Sequence, residues 1–189
     1  MTVKDKLIAK IVELELDMFV AVPGDTHYSC QQDAAGFGLH RRAQFSIWSE
    51  ETLRSYLDDL YRAAKAGRNL MTIKYARMQN LIPPEKRNPL IEEIVVIQCR
   101  WQREMAKKYP YLMGGARHLT GSDDSNEDTS FETYLRGELE TYSDNTIKLL
   151  YKDMMGYLQM GANGSEKIYE HLVKEMGYSS IKEADRAQK

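Results

Sequence analysis

The chain has 189 residues, and its 26 basic and 28 acidic residues leave a net charge of −2, so no global field attracts nucleic acid or an anionic membrane. No run approaches the ~18 apolar residues of a membrane-spanning helix, and the charged first residues lack the apolar segment of a signal peptide. The two cysteines and four histidines show neither a disulfide framework nor metal-ligand spacing. We therefore predict a cytoplasmic single domain over residues 1–189, with no metal, nucleic acid or membrane as a partner.

The apolar periodicity predicts an all-α fold, with helices at 3–20, 37–48, 50–66 and 70–80, another beginning at 89, and three more at 131–142, 144–160 and 165–176. A proline-rich linker over 82–89 divides them into two groups. Residues 114–130 are polar and acidic and predict a mobile loop, while a capping box at Ser180 predicts only a frayed terminal turn. No alternating pattern predicts a strand.

The two groups of helices resemble each other in sequence. Residues 37–78 align without a gap on residues 131–172, 94 positions later, and the first helices align 83 positions apart. Identical pairs include Phe37/Phe131, Arg42/Arg136, Ser49/Ser143, Thr52/Thr146, Asp59/Asp153, Gly67/Gly161, Asn69/Asn163 and Tyr75/Tyr169. We predict N-caps at the paired serines and positive φ at the paired glycines. The alignment predicts a pseudo-twofold bundle of about eight helices, made by tandem duplication of a roughly four-helix half, with repeats at about 3–82 and 87–178.

A polar side chain lies in the middle of the apolar face of each first helix. Glu15 falls among Leu7, Ile11, Val12 and Phe19 at helical spacing, and Gln98 takes the corresponding place in the second copy. A buried carboxylate is costly unless it is paired or protonated. The pattern therefore predicts a shared polar site between the repeats.

The short helices before Ser49 and Ser143 supply partners for that site. We select Glu15, Arg41, Gln44, Trp48, Gln98, Arg136, Glu138 and Tyr142 as candidate ligand-binding residues, with Glu15 and Glu138 as the candidate acid or base. Arginine forks and carboxylates together suit a small charged ligand. The same residues equally suit a buried ion-pair network that fixes how the repeats dock. Cys30 is a candidate nucleophile, although a loop thiol without a role is more common.

Several motifs resemble a bacterial family catalogued as domain of unknown function 4125. They are ELELDMF at 13–19, SCQQD at 29–33, RAQFSIWS at 42–49, GRNL at 67–70, KYARM at 74–78 and DTSFETYLRGELETYS at 128–143. The resemblance covers nearly the whole chain, with departures at Leu16, where a tryptophan is expected, and Gln32, where an acidic residue is common. Some relatives are joined to nucleotidyltransferase-like or iron–sulfur domains, so the resemblance implies a protein partner of the nucleotidyltransferase type and no established activity.

Two functional hypotheses follow from these residues. The first is a small-molecule-binding protein or enzyme with a polar site between the repeats. The second is a non-catalytic helical interaction module that acts with a separate catalytic partner, its polar residues forming a structural network. The sequence leaves open whether the protein is an enzyme, which cofactor it uses and which ligand it takes. A pocket that reaches solvent beside Glu15 favours the first hypothesis, whereas a sealed pocket together with a large exposed apolar patch elsewhere favours the second.

Overall fold

The structure is a computed structural model that describes residues 1–23, 33–124 and 129–189. All regular secondary structure in these ranges is helical, with ten α-helices and one short 3₁₀ turn. The α-helices are α1 (Val3–Val20), α2 (Ala34–Ser46), α3 (Glu50–Lys65), α4 (Leu70–Met78), α5 (Pro89–Lys108), α6 (Pro110–Gly114), α7 (Phe131–Leu139), α8 (Asp144–Gln159), α9 (Gly164–Glu175) and α10 (Ile181–Ala187). The predicted all-α class is confirmed.

The first helix of each group is the centre of that group. A capping box between Thr2 and Asp5 opens α1, and its apolar face packs against α2, α3 and α4. Asn88 caps α5 ahead of Pro89, and α5 packs against α7, α8 and α9. One continuous apolar core contains buried side chains from both groups, so the two are packed as one body.

Both predicted pairs of helix boundaries are confirmed. Ser49 caps α3 and Ser143 caps α8, each accepting a hydrogen bond from the amide three residues later. Gly67 follows α3 with φ of 66° and Gly161 follows α8 with φ of 65°. Glycine suits these helix ends because positive φ costs it no steric strain.

The two groups of helices are joined by reciprocal contacts. The helix α3 packs against α8, α2 packs against α9, and α4 packs against α7. On α8, Asp153 accepts hydrogen bonds from the Ser49 amide at 2.8 Å and the Thr52 hydroxyl at 2.6 Å. On α3, Asp59 does the same for the Ser143 amide at 2.9 Å and the Thr146 hydroxyl at 2.6 Å. Each aspartate thus places negative charge at the N-terminus of the other helix, where the helix dipole favours it.

The predicted helices need correction in several places. The helix α7 ends at Leu139 rather than at residue 142, because the amides of Thr141 and Tyr142 turn back to the carbonyls three residues earlier. The helix α2 begins earlier than predicted because the Asp33 side chain caps it at the Gly36 amide, and it ends earlier because the Trp48 amide turns back to the Phe45 carbonyl. The short helix α6 was not predicted; Asp185 accepts hydrogen bonds from its first amides, those of Tyr111 and Leu112. The C-terminal segment is a helix rather than a frayed turn, because Ile181 and Ala184 pack into a small core with α5 and α9.

The polar segment after α6 is tied to α7 where the structure describes it. The Phe131 amide donates to the His118 carbonyl at 2.8 Å, and the Gly121 amide donates to the Glu132 carboxylate at 3.1 Å. Across the described ranges, no helix is both long and apolar enough to cross a membrane.

Candidate functional site

Glu15 lies at the centre of the first group of helices and binds Arg41 with both carboxylate oxygens. The Arg41 Nε donates to Oε2 at 2.7 Å, and Nη2 makes a second short contact with Oε1. The Tyr56 hydroxyl donates to the same Oε1 at 2.7 Å. This two-bonded geometry, supplied by α1, α2 and α3, is the arrangement in which arginine holds a carboxylate most specifically.

Glu138 reaches into this group from α7 and completes the network. Its carboxylate accepts from Arg41 Nη1 at 3.0 Å, from Lys74 Nζ at 2.5 Å and from the Tyr142 hydroxyl at 2.5 Å. The Gln44 amide also donates to Glu138 at 3.1 Å, while its oxygen accepts from Arg41 at 2.7 Å. We call this set the charge cluster: Glu15, Arg41, Gln44, Tyr56, Lys74, Glu138 and Tyr142.

The charge cluster is neutral and closed to solvent. Glu15 is 0% exposed, and Arg41, Lys74 and Glu138 are only 2–3% exposed. Two cations face two carboxylates, and no buried side-chain nitrogen or oxygen among the described residues lacks a hydrogen-bond partner. Such complete pairing is what makes buried charges tolerable, because each unpaired one would cost several kcal/mol.

The electrostatics of the cluster favour the ionised forms of Glu138, Arg41 and Lys74. Burial opposes the charge of Glu138, but Arg41 and Lys74 outweigh it and hold the pKa of Glu138 well below its usual range. Burial also opposes the charges of Arg41 and Lys74, yet the carboxylates raise the pKa of both above their usual values, Glu138 having the largest effect. Burial raises the pKa of the Tyr56 and Tyr142 hydroxyls, which therefore remain neutral donors.

Aromatic rings fill the remaining space around the cluster. The Tyr134 ring lies 3.7 Å from Lys74 Nζ, and the Phe45 ring lies 4.7 Å from the Arg41 guanidinium carbon. Trp48 packs edge-on against Tyr142, with 5.9 Å between ring centroids, so this predicted residue borders the cluster as a wall. Charged atoms are thus enclosed by other cluster members and by rings.

The model of the family described as "Protein of unknown function (DUF4125)" matches residues 5–186. The chain belongs to this family. No curated protein and no solved structure matched it.

Two of the predicted site residues, Gln98 and Arg136, lie outside the charge cluster. The Gln98 amide contacts only the Met154 sulfur, at 3.9 Å, and Arg136 pairs with Glu92 and Glu132 on the surface. The reason lies in the second group of helices. The residues 94 positions after Arg41, Tyr56 and Lys74 are Leu135, Leu150 and Ile168. These three side chains cannot donate hydrogen bonds as Arg41, Tyr56 and Lys74 do.

Sequence reasoning missed Lys74 and Tyr56. Lys74 is on the buried face of α4, one turn after Leu70 and Met71. A lysine at such a core-facing position is the sequence signal that could have identified it. Tyr56 is spaced three and four residues from the buried Leu53 and Leu60, and that pattern is the same for a purely apolar core tyrosine. Arg42, which flanked the predicted site, instead pairs with Glu175 at 3.1 Å.

The described part of the chain contains neither a reactive thiol nor a group of side chains that could bind a metal ion. Cys30, the candidate nucleophile, lies outside the described residues. Cys99 is half-buried, and burial raises the pKa of its thiol, which lowers its reactivity. Within the ranges that are described, no group of three or more histidine, cysteine, aspartate or glutamate side chains could hold a metal ion.

Two clefts open on the surface along the linker between α4 and α5. The first, here the junction cleft, has a volume of about 610 Å³ and runs from Arg62 and Arg68 to Glu140 and Tyr142. The second, here the linker cleft, has a volume of about 390 Å³ and lies between the linker, the start of α5 and Arg136. Lys86 and Glu140 line both clefts, so they are neighbours. Tyr142 connects them to the charge cluster, because its hydroxyl binds Glu138 while the residue lines the junction cleft.

Proposed function

We propose that this chain is a small-molecule-binding domain in which the charge cluster is structural and the ligand binds in the clefts beside the linker. The observation that carries the proposal is the contrast between a sealed, neutral cluster and open clefts just outside it. The proposal keeps the site between the two groups of helices and moves it outward to the surface.

A structural role for the charge cluster follows from its pairing. A ligand that entered would have to replace hydrogen bonds already made at 2.5–3.2 Å and displace buried rings. Glu138 is also poorly suited to act as a general acid, because its lowered pKa keeps it ionised at neutral pH. The cluster joins four helices of the first group to Glu138 of the second, and so fixes their relative position.

Binding in the junction cleft is supported by its size and lining. Its volume falls within the ~300–1,000 Å³ typical of small-molecule sites. Arg62 and Arg68 line one side, from the end of α3 and the turn after it, and Glu140 and Thr141 line the other, from the end of α7. A ligand there would contact both groups of helices and depend on the position that the cluster fixes.

We further propose that the two groups arose by tandem duplication and are related by a pseudo-twofold axis. The answering contacts of Asp59 and Asp153 and the matched glycine conformations support this, because a twofold interface repeats each contact in reverse. On this proposal the polar cluster was retained or acquired in one half, while apolar residues fill the equivalent space in the other.

Thermal melts of the protein against a metabolite library test the binding proposal, because a ligand that binds the folded state raises Tm. Compounds that stabilise the wild type should still stabilise Glu15→Gln, although this variant melts at a lower temperature. They should lose their effect on Arg68→Ala or Arg87→Ala, which change exposed positions of the two clefts. The opposite pattern, with binding lost only in Glu15→Gln, would return the site to the cluster and refute the proposal.

The sealed cluster also suits a second candidate, a non-catalytic module that docks on a separate protein. The family resemblance makes a partner of the nucleotidyltransferase type the one to test. If no library compound raises the Tm of the wild type, the small-molecule proposal fails and this second candidate is favoured.

A further inference from the structure

The linker cleft has an excess of positive charge in a chain whose net charge is negative. Four basic side chains line it, against two acidic ones, whereas the whole chain carries a net charge of −2. The basic residues are Arg77, Lys86, Arg87 and Arg136. A local excess of this kind raises the concentration of anions at the cleft.

The two acidic residues of the cleft are already engaged by two of its arginines. Glu140 accepts two hydrogen bonds from Arg77, and Glu92 accepts two from Arg136 at 2.9–3.0 Å. The remaining cations therefore face the cleft without a carboxylate of their own within it.

Arg87 is the least restrained of these cations. Its side chain is exposed, and it makes no ion pair with any residue that the structure describes. Lys86 donates to the Tyr142 carbonyl and lies 3.7 Å from Asp144, a highly exposed carboxylate outside the cleft lining. Arg87 thus offers its guanidinium at this end of the cleft, and Lys86 has two N–H groups beyond the one that it donates to the Tyr142 carbonyl.

Apart from Asn88, whose side chain caps α5, the rest of the lining is apolar and rigid. Pro84 and Pro89 flank the basic residues in the linker, and the buried Ile91 forms part of the floor. Proline has a fixed φ and little side-chain freedom, so a flat apolar body could bind there with little additional ordering. The volume of about 390 Å³ suits a ligand of one or two fused rings.

We propose that the linker cleft binds an organic anion, with its carboxylate, sulfonate or phosphate at Arg87 and Lys86 and its apolar body against Pro84, Pro89 and Ile91. The inference rests on the proposed binding function and adds the chemical class of the ligand. Cations are repelled by the four basic groups, and neutral compounds gain only the contact with the apolar walls. A bare inorganic anion gains only the electrostatic attraction. Both the anionic group and the apolar body of the ligand therefore contribute to its affinity.

Two fluorescent probes separate charge from apolar contact. Anilinonaphthalene sulfonate carries an aromatic body and a sulfonate, whereas N-phenylnaphthylamine has the same aromatic body without the sulfonate. We expect the sulfonate probe to bind the wild type with higher affinity than the neutral probe. This affinity should fall as the sodium chloride concentration is raised. In Arg87→Ala its Kd should rise about fivefold, and in Arg87→Glu further, while the neutral probe is unaffected by either change.

The matched control is Arg103→Ala, which removes another exposed arginine, on α5, also without an ion pair among the described residues. Its Kd for the sulfonate probe should equal that of the wild type, and circular dichroism melts confirm that each variant is folded. Failure of the sulfonate probe to bind, equal binding of both probes, or an unchanged Kd in Arg87→Ala would each overturn the inference. If neutral library compounds still lose their Tm effect in Arg87→Ala, the binding function stands and only the anion class is wrong.

Discussion

Replacement of Glu15 by glutamine removes one negative charge from the charge cluster and almost no volume. The carboxylate accepts two hydrogen bonds from Arg41 and one from Tyr56. A glutamine has one oxygen to accept them, and its amide group would direct hydrogens at the guanidinium. The cluster would then contain two buried cations and a single carboxylate, Glu138.

The cost of this change follows from burial. Removing one partner of a fully buried ion pair destabilises a protein by about 3–5 kcal/mol, because the remaining charge is desolvated without compensation. For a chain of this length, each kcal/mol shifts Tm by about 2–4 °C. We therefore expect Glu15→Gln to lower Tm by about 6–20 °C. Both Glu15 and Arg41 are nearly inaccessible to water, so solvent cannot rescue the unpaired charge.

Urea unfolding followed by circular dichroism measures this free energy, with Glu13→Gln as the control. Glu13 lies on the same helix but faces solvent, so its replacement should leave the free energy of unfolding unchanged. The double variant Glu15→Gln/Arg41→Met leaves Glu138 paired with Lys74, so it should cost less than the sum of the single changes. A loss below about 1 kcal/mol in Glu15→Gln, or strict additivity in the double variant, would refute the structural role of the cluster.

Three further predictions concern the helix ends and the acid limit of stability. Asp153→Asn should lower the free energy of unfolding by about 1–3 kcal/mol in urea titrations, because the charge at the N-terminus of α3 is lost. Gly67→Ala should cost about 1 kcal/mol because φ is positive there, whereas Gly156→Ala, inside α8 with open space around it, should stabilise the protein by up to about 1 kcal/mol in the same assay. Since the pKa of Glu138 is lowered in the folded state, its contribution is present above about pH 4.5 and is lost as pH falls further; melts from pH 7 to pH 3 should show this decline, and it should be smaller in Glu138→Gln. A flat profile down to pH 3 would contradict the assignment.

The helices themselves were largely readable from the sequence. Periodicity and capping residues gave the bounds of α1, the start of α5 at Pro89, and the starts of α3 and α8 after Ser49 and Ser143. These signals are local, since a cap acts within one turn and an apolar face needs only its own helix. Short elements were less readable: α6 and α10 depend on Asp185 and on packing between segments distant in the chain.

The charge cluster was likewise predictable from the sequence only in part. Helical geometry, at about 100° per residue, fixed the direction of Glu15 toward the core, and its need for a partner pointed to an arginine. Only the tertiary structure decided that the arginine is Arg41, 26 positions away, and that Glu138 and Lys74, 64 positions apart, meet beside it. The sequence repeat suggested that Gln98 would join them, but its amide contacts the Met154 sulfur instead. A side chain's direction is set by its own helix, whereas its partners are set by how helices far apart in the chain cross and pack.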